Sequence, residues 1–373
     1  MRHITRSLLI LLTLLSPLMV ADAINPFEVR IVYFRPLDAS PAPVDKITKL
    51  MQETQEFYAS EMEQNGFGNK TFSIETVNNK MVVHTVDGAH NAEHYFHNTY
   101  QKMWQELPIE FRVKHDNINV FILGGLDFVQ SGGVLGIGWT FSGWRAGGGA
   151  VLPGDRLNMP IIAHEIGHAF GLFHNNVVNT MMGLHHGPIL DYEIRWISKS
   201  HYFNDRHVRT DIPKFIGDLH IQSIDDNSLK LRFIAQSKSG LHQSKIIRER
   251  GGYLVIGSDN LGGEHDISEM DMPRPRVMIG DLLSLRIIDV NGNYVYKDTT
   301  IKELPEPIEK AKPNINIFEN KNVDLEEDEK DNPVDNECPS CRSDENDKVD
   351  NTDLGVSYRN KLTIQWARLK THR

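Results

Sequence analysis

The run His164-Glu165-Ile166-Gly167-His168-Ala169-Phe170-Gly171-Leu172-Phe173-His174 constrains this chain more than any other stretch. His164 and His168 are four residues apart, so on a helix their imidazoles stand one turn apart on a single face. Neutral imidazole is a good zinc ligand, and three protein donors with one open position make a catalytic zinc site. Glu165 lies beside the first histidine, where its carboxylate can take a proton from a water that the ion activates. Gly171 then ends the helix: glycine enters the left-handed region without steric cost, so the chain can turn sharply and bring His174 back to the other two imidazoles. A bare H-E-x-x-H arises by chance on amphipathic helices, but the added glycine and third histidine make the pattern specific. The candidate metal ligands are therefore His164, His168 and His174, with Glu165 as the catalytic base and one Zn2+ as cofactor.

This run resembles the extended zinc signature of the metzincin metallopeptidases, and the resemblance carries several expectations. It implies a methionine turn under the metal, for which the chain offers Asn179-Thr180-Met181-Met182-Gly183. Met182 is the better candidate, because its spacing from His174 is similar to that in matrixins and a glycine follows it; Met181 remains an alternative. Its implied role is a hydrophobic floor and not a ligand, close to ordinary core packing. The implied fold class is α+β, a twisted mixed sheet with an antiparallel edge strand plus helices, over residues 24–210. In metzincins the region corresponding to Gly132–Phe141 and Gly148–Leu152 supplies an edge strand that binds an extended peptide. The plainer alternative is a hairpin whose glycines serve tight turns. Two positions depart from subfamily patterns: Leu184 stands where astacins and serralysins have a tyrosine, and Asn175 follows the third histidine without matching a subfamily. His185 and His186 read as a polar loop. The subfamily stays unassigned.

Charge and targeting signals narrow the setting. The 40 Lys+Arg against 50 Asp+Glu give a net charge of -10, and no basic stripe points to a nucleic-acid partner. Residues 1–23 read as a signal peptide: Arg2, His3 and Arg6, an apolar run from Leu8 to Val20, and Ala21-Asp22-Ala23 as a small-x-small cleavage site. The apolar run is short and contains Pro17, and no later stretch is apolar enough to span a bilayer. The expected location is outside the cytoplasm, secreted to an extracellular or periplasmic space.

Elsewhere the signals are local. Val44 to about Asn65 has helical spacing, with Ile47, Leu50, Met51, Thr54, Phe57 and Tyr58 on one stripe. Val29 to Phe34, Thr71 to Val77, Met81 to Val86 and Asn119 to Leu123 read as strands. His90-Asn91-Ala92-Glu93-His94 spells the inverted zinc motif H-x-x-E-H, with His97 one turn on. On one continuous helix these histidines face away from the apolar stripe of Phe96, Tyr100, Met103, Trp104 and Leu107, and no third ligand is in view, so they read as a solvated face. The zinc helix is expected to start at Asn158, an N-cap, with Pro160 in its first turn. Leu219 to Ile224, Ser228 to Ile234, Tyr253 to Ile256 and Leu282 to Val290 alternate like strands, with a hairpin-type Asn291-Gly292 beyond. They predict a small all-β sandwich, immunoglobulin-like in outline, over 211–302. Residues 303–355 form an acidic linker poor in apolar residues, containing Cys338 and Cys341, and 356–373 a short C-terminal element. In an oxidising compartment that cysteine pair is expected in a disulfide rather than on a metal.

The expected activity is zinc-dependent endopeptidase hydrolysis of a protein or peptide partner. No residue pattern calls for calcium, and oligomeric state is not legible. The rival expectation is a secreted adhesion protein in which the β-sandwich binds a surface ligand and the zinc domain is a scaffold; an intact Glu165 argues against it, since a structural zinc needs no base.

Overall fold

A computed structural model describes residues 27–112, 116–129, 135–140, 147–183, 187–204, 212–250 and 252–306. Residues 1–26, with the stretch expected to be a signal peptide, as well as Leu184, His185, His186, the acidic stretch beyond 306, Cys338, Cys341 and the C-terminal stretch, lie outside the described residues. The chain is a mixed α/β fold with several sheets and few helices.

The first part runs β1 (Glu28–Arg35), α1 (Val44–Gln64), β2 (Ser73–Ile74), β3 (Thr76–Val77), β4 (Lys80–Met81) and β5 (Val83–Asp87). Then follow α2 (Ala92–Tyr95), α3 (Thr99–Glu106), α4 (Ile109–Arg112), β6 (Ile118–Leu123), β7 (Ile137–Thr140), β8 (Gly148–Pro153), α5 (Met159–Ala169) and α6 (Asp191–Ile197). The main sheet has the order β2-β1-β6-β8-β7, with β5 also pairing β1. β1, β6 and β8 are parallel, and β7 closes the order antiparallel to β8, with Ile137 opposite Val151 and Thr140 opposite Gly148. β6 and β8 are buried at every residue, as expected for central parallel strands covered on both faces. One face packs Ile31, Val120 and Ala150 against Met51 and Tyr58 of α1 and Ile162 and Ile166 of α5. The other packs Val32, Phe121 and Val151 against Tyr95, Met103 and Phe111 of the short helices.

Two expectations are corrected here. The stretch from His90 to Leu107 is not one helix: Asn98 sits at φ 58, a left-handed residue that cannot continue a right-handed helix, and the chain breaks into α2 and α3. The strands expected at 71–77 and 81–86 become four short ones, β2 to β5, because Asn78 and Asn79 both adopt positive φ and fold a β3–β4 hairpin between them.

The second part holds β9 (Lys214–Ser223), β10 (Ser228–Gln236), β11 (Leu241–Arg248), β12 (Leu254–Asn260), β13 (His265–Pro273), β14 (Leu282–Asp289) and β15 (Tyr294–Thr300). They form two antiparallel sheets, β13-β10-β9 and β12-β11-β14-β15. Leu229, Leu231, Phe233 and Met270 of one sheet share a core with Ile246, Ile256, Leu283 and Leu285 of the other. Alternation had pointed to β9, β10, β12 and β14 but not to β11, β13 or β15. In β11 the sequence His242-Gln243-Ser244-Lys245 is polar yet buried or half-buried, a pattern that a rule built on apolar alternation passes over. Among the described residues no helix is long and apolar enough to cross a membrane.

Candidate metal centre

The helix that carries the site is well specified locally. Asn158 caps α5, its side-chain oxygen accepting from the Ile161 N–H at 3.0 Å, and Pro160 occupies the first turn where a missing N–H is harmless. The Tyr58 hydroxyl of α1 donates to the Ala163 carbonyl at 2.8 Å, locking the two helices together. Past Ala169 the chain turns at Gly171, φ 86, while the N–H groups of Gly171 and Leu172 cap the carbonyls of His168 and Gly167.

That turn brings His174 back. The ligand nitrogens of His164, His168 and His174 all lie within 4.8 Å of one another, and the Nε2 atoms of His164 and His174 are 3.2 Å apart. His164 Nδ1 donates to the Met181 carbonyl at 2.7 Å and His168 Nδ1 to the Leu172 carbonyl at 3.0 Å. A carbonyl only accepts, so each Nδ1 carries the proton and each Nε2 lone pair points inward. Burial, with the neighbouring imidazoles, holds His168 well below its ordinary range. Although His174 keeps an exposed edge, the protein around its ring and the nearby His164 lower it to about 4. Three converging imidazoles, two of them with the second nitrogen anchored on a carbonyl, fit a zinc ion.

Glu165 is 7% exposed and sits under the edge strand, where the Gly138 N–H hydrogen-bonds to its carboxylate. Burial pushes this carboxyl up to about 8; a cation at the imidazoles pulls the other way by Coulomb attraction. The strand can approach this closely only because it has no side chains there. A Cβ on Gly136 would lie 2.4 Å from the Glu165 side chain, and one on Gly138 2.2 Å from the Glu165 carbonyl oxygen. Neither glycine has a positive φ, so the plainer alternative, in which the glycines of this stretch serve tight turns, does not hold for these two. They allow strand and helix to touch.

Met181 and Met182 are both buried, at 5% and 0% exposed, and both press on Gly167, where a Cβ would meet Met181 Cε and Met182 Sδ at 3.0 Å. Met181 contributes the carbonyl that orients His164, and the Met182 carbonyl accepts from the Asn175 N–H at 3.1 Å. Asn175, unassigned in sequence, is the hub of this loop. Its Oδ1 accepts from the Val177 N–H at 2.9 Å and the Thr180 hydroxyl at 3.1 Å, and its Nδ2 donates to Glu193 of α6 at 2.8 Å. The second part also reaches the site. The Val255 N–H donates to the His174 carbonyl at 2.9 Å, and the Tyr294 hydroxyl lies 3.1 Å from that of Thr140 in β7. Nothing in the sequence signals Glu193 or Val255 as site residues, because each acts through contacts remote along the chain.

His90 and His94 converge as well, their rings stacked 4.0 Å apart, and Glu106 of α3 joins them with all three ligand atoms within 4.8 Å. His97 is not among the three.

The fold is similar to that of OgpA from Akkermansia muciniphila. Wild-type OgpA in two crystal forms superposes with TM-scores of 0.50 and 0.51 at 16% and 18% identity, covering 74% of this chain and 93% and 92% of that one. Catalytically inactive OgpA in complex with an O-glycopeptide substrate, glycodrosocin, matches at a TM-score of 0.51, 15% identity and 74% and 92% coverage. No protein-family model matches the chain, and no curated protein matches it.

Proposed function

We propose that the protein is a secreted zinc-dependent endopeptidase of metzincin type, with its catalytic domain over 24–210 and a bracing β-sandwich over 211–302. The observation that carries this reading is the convergence of His164, His168 and His174 with the buried Glu165 held beside them. A zinc ion held by the three imidazoles would supply Lewis acidity toward water and the scissile carbonyl. Glu165, set by the Gly138 N–H, accepts the proton of the attacking water and returns it to the departing amine. β7 ends the sheet order, so its outer edge offers backbone groups that an extended peptide can pair with, beside the same helix. Met181 and Met182 hold the floor, and Asn175 fixes the loop that presents His174.

The OgpA complex makes O-glycosylated peptides the first substrate class to test. Purified protein is offered matched glycosylated and bare peptides, with and without a chelator, and products are read by mass spectrometry. Cleavage should be lost on chelation and restored by zinc. Glu165→Ala should keep zinc and lose about 10²–10⁴-fold or more in rate, the range of a general acid–base. Full activity in that variant, or cleavage indifferent to the chelator, overturns the reading.

A further inference from the structure

We propose that His90, His94 and Glu106 form a second cation site, for a divalent transition ion of the zinc class, that ties α2 to α3 on the sheet face opposite the His164 cluster. The spacing H-x-x-E-H brought two imidazoles into view but no third donor. The donor comes from a different element, Glu106 in the last turn of α3, which the break at Asn98 folds back onto α2.

The site is already organised. Glu106 Oε2 accepts from the Ala89 N–H and from the Tyr95 hydroxyl, each at 2.7 Å, and that hydroxyl in turn accepts from the His90 N–H at 3.1 Å. Tyr95 is fully buried, so these bonds fix the carboxylate from behind, as partners outside the ligand set do in metal sites. A carboxylate has about four lone-pair positions, and two donors leave room for an ion. His90 and His94 line an open cavity of about 590 Å³ together with Glu93, His97 and Lys102, wide enough for a hydrated ion and its remaining waters. Two imidazoles and one carboxylate suit zinc, copper or nickel; calcium and magnesium prefer all-oxygen shells. The Lys102 ammonium donates to the His94 carbonyl, placing a positive charge on the rim. That charge weakens the hold on a cation, so this site binds more loosely than the three-histidine one.

Its consequence is structural. α3 carries Tyr100, whose ring meets Trp139 of β7 edge-on at 4.9 Å, so an ion clamping α2 to α3 also braces the far side of the edge strand. The proposal is independent of the peptidase reading.

Zinc titration of the full chain, with bound metal counted after dialysis, tests it. The wild type should bind two equivalents. His164→Ala with His168→Ala should retain one, and zinc should still raise its Tm. His90→Ala with His94→Ala, both exposed positions, should also retain one. Combining all four substitutions should abolish both binding and the Tm shift. Lys102→Met should tighten the looser site. A metal count in the His90/His94 variant equal to that of the wild type, or no zinc bound by the His164/His168 variant, overturns the proposal, whichever way the peptidase assay falls.

Discussion

At the residue scale, the site depends on what is missing as much as on what is present. Glu165 reaches the edge strand only because positions 136 and 138 have no Cβ. The clash at 138 is with backbone, the 2.2 Å approach to the Glu165 carbonyl, which no rotamer change relieves. Gly138→Ala is therefore expected to destabilise the fold by about 1–3 kcal/mol, the usual cost of overpacking, and to cut activity by displacing the N–H that holds Glu165. Urea unfolding and a peptide-cleavage assay measure the two effects; an alanine tolerated in both would show that β7 does not press on α5. The ligands were legible because their chemistry is carried by residue type and offset within eleven positions. The glycines were visible but their role was not, since a sequence shows that a side chain is absent and not which neighbour needs the space.

At the scale of the element, α5 was the most legible part of the molecule. Its cap, its proline and its glycine stop are all local, and each appears where spacing placed it. Asn158→Ala removes the side-chain acceptor for the Ile161 N–H and should cost about 1 kcal/mol, a typical cap loss, seen as a lower unfolding midpoint with the metal stoichiometry unchanged. A change in stoichiometry would mean that the first turn, and not only the ligand-bearing turns, shapes the centre. The helices between β5 and β6 were the least legible. Asparagine at 98 tolerates the left-handed region, but nothing local says that it occupies it, and that one dihedral separates a solvated histidine stripe from a three-donor cluster.

At the scale of the whole molecule, the two parts share an interior. Lys245 of β11 is fully buried, its Nζ 4.4 Å over the Trp196 ring and 5.6 Å from the Tyr192 ring, with no hydrogen-bond partner among the described residues. Burial pushes its amine down to about 7, against the pull of Glu193. Between that value and the ordinary 10.5 the unfolded chain keeps a proton that the folded one has released, so this lysine makes stability rise with pH over that window. Lys245→Met should then stabilise most near and below pH 7, with the gain shrinking toward pH 10.5, read as the difference in Tm between variant and wild type across pH. A constant difference would place the amine in contact with water. The same interface holds Gln243 Nε2 on the Tyr192 carbonyl at 2.9 Å and the His242 ring nitrogen on the Arg195 carbonyl at 3.0 Å. These anchor α6, whose Glu193 holds Asn175 and with it the loop after His174.

The sequence by itself determined the three spaced histidines, the carboxylate beside the first, the helix that carries them and the turn that returns the third histidine. All of these are set by side-chain chemistry and dihedral preference over a few neighbouring residues. Only the tertiary structure decided that β7 lies against Glu165, that Asn175 and Glu193 hold the methionine loop, that Val255 bonds the His174 carbonyl, and that Glu106 meets His90 and His94. Those pairings join residues from 12 to 81 positions apart. Such contacts follow from how sheets and helices pack, and no local run of residues records them. The zinc signature was readable because a single helix and its stop build nearly all of it; the rest of the centre had to wait for the fold.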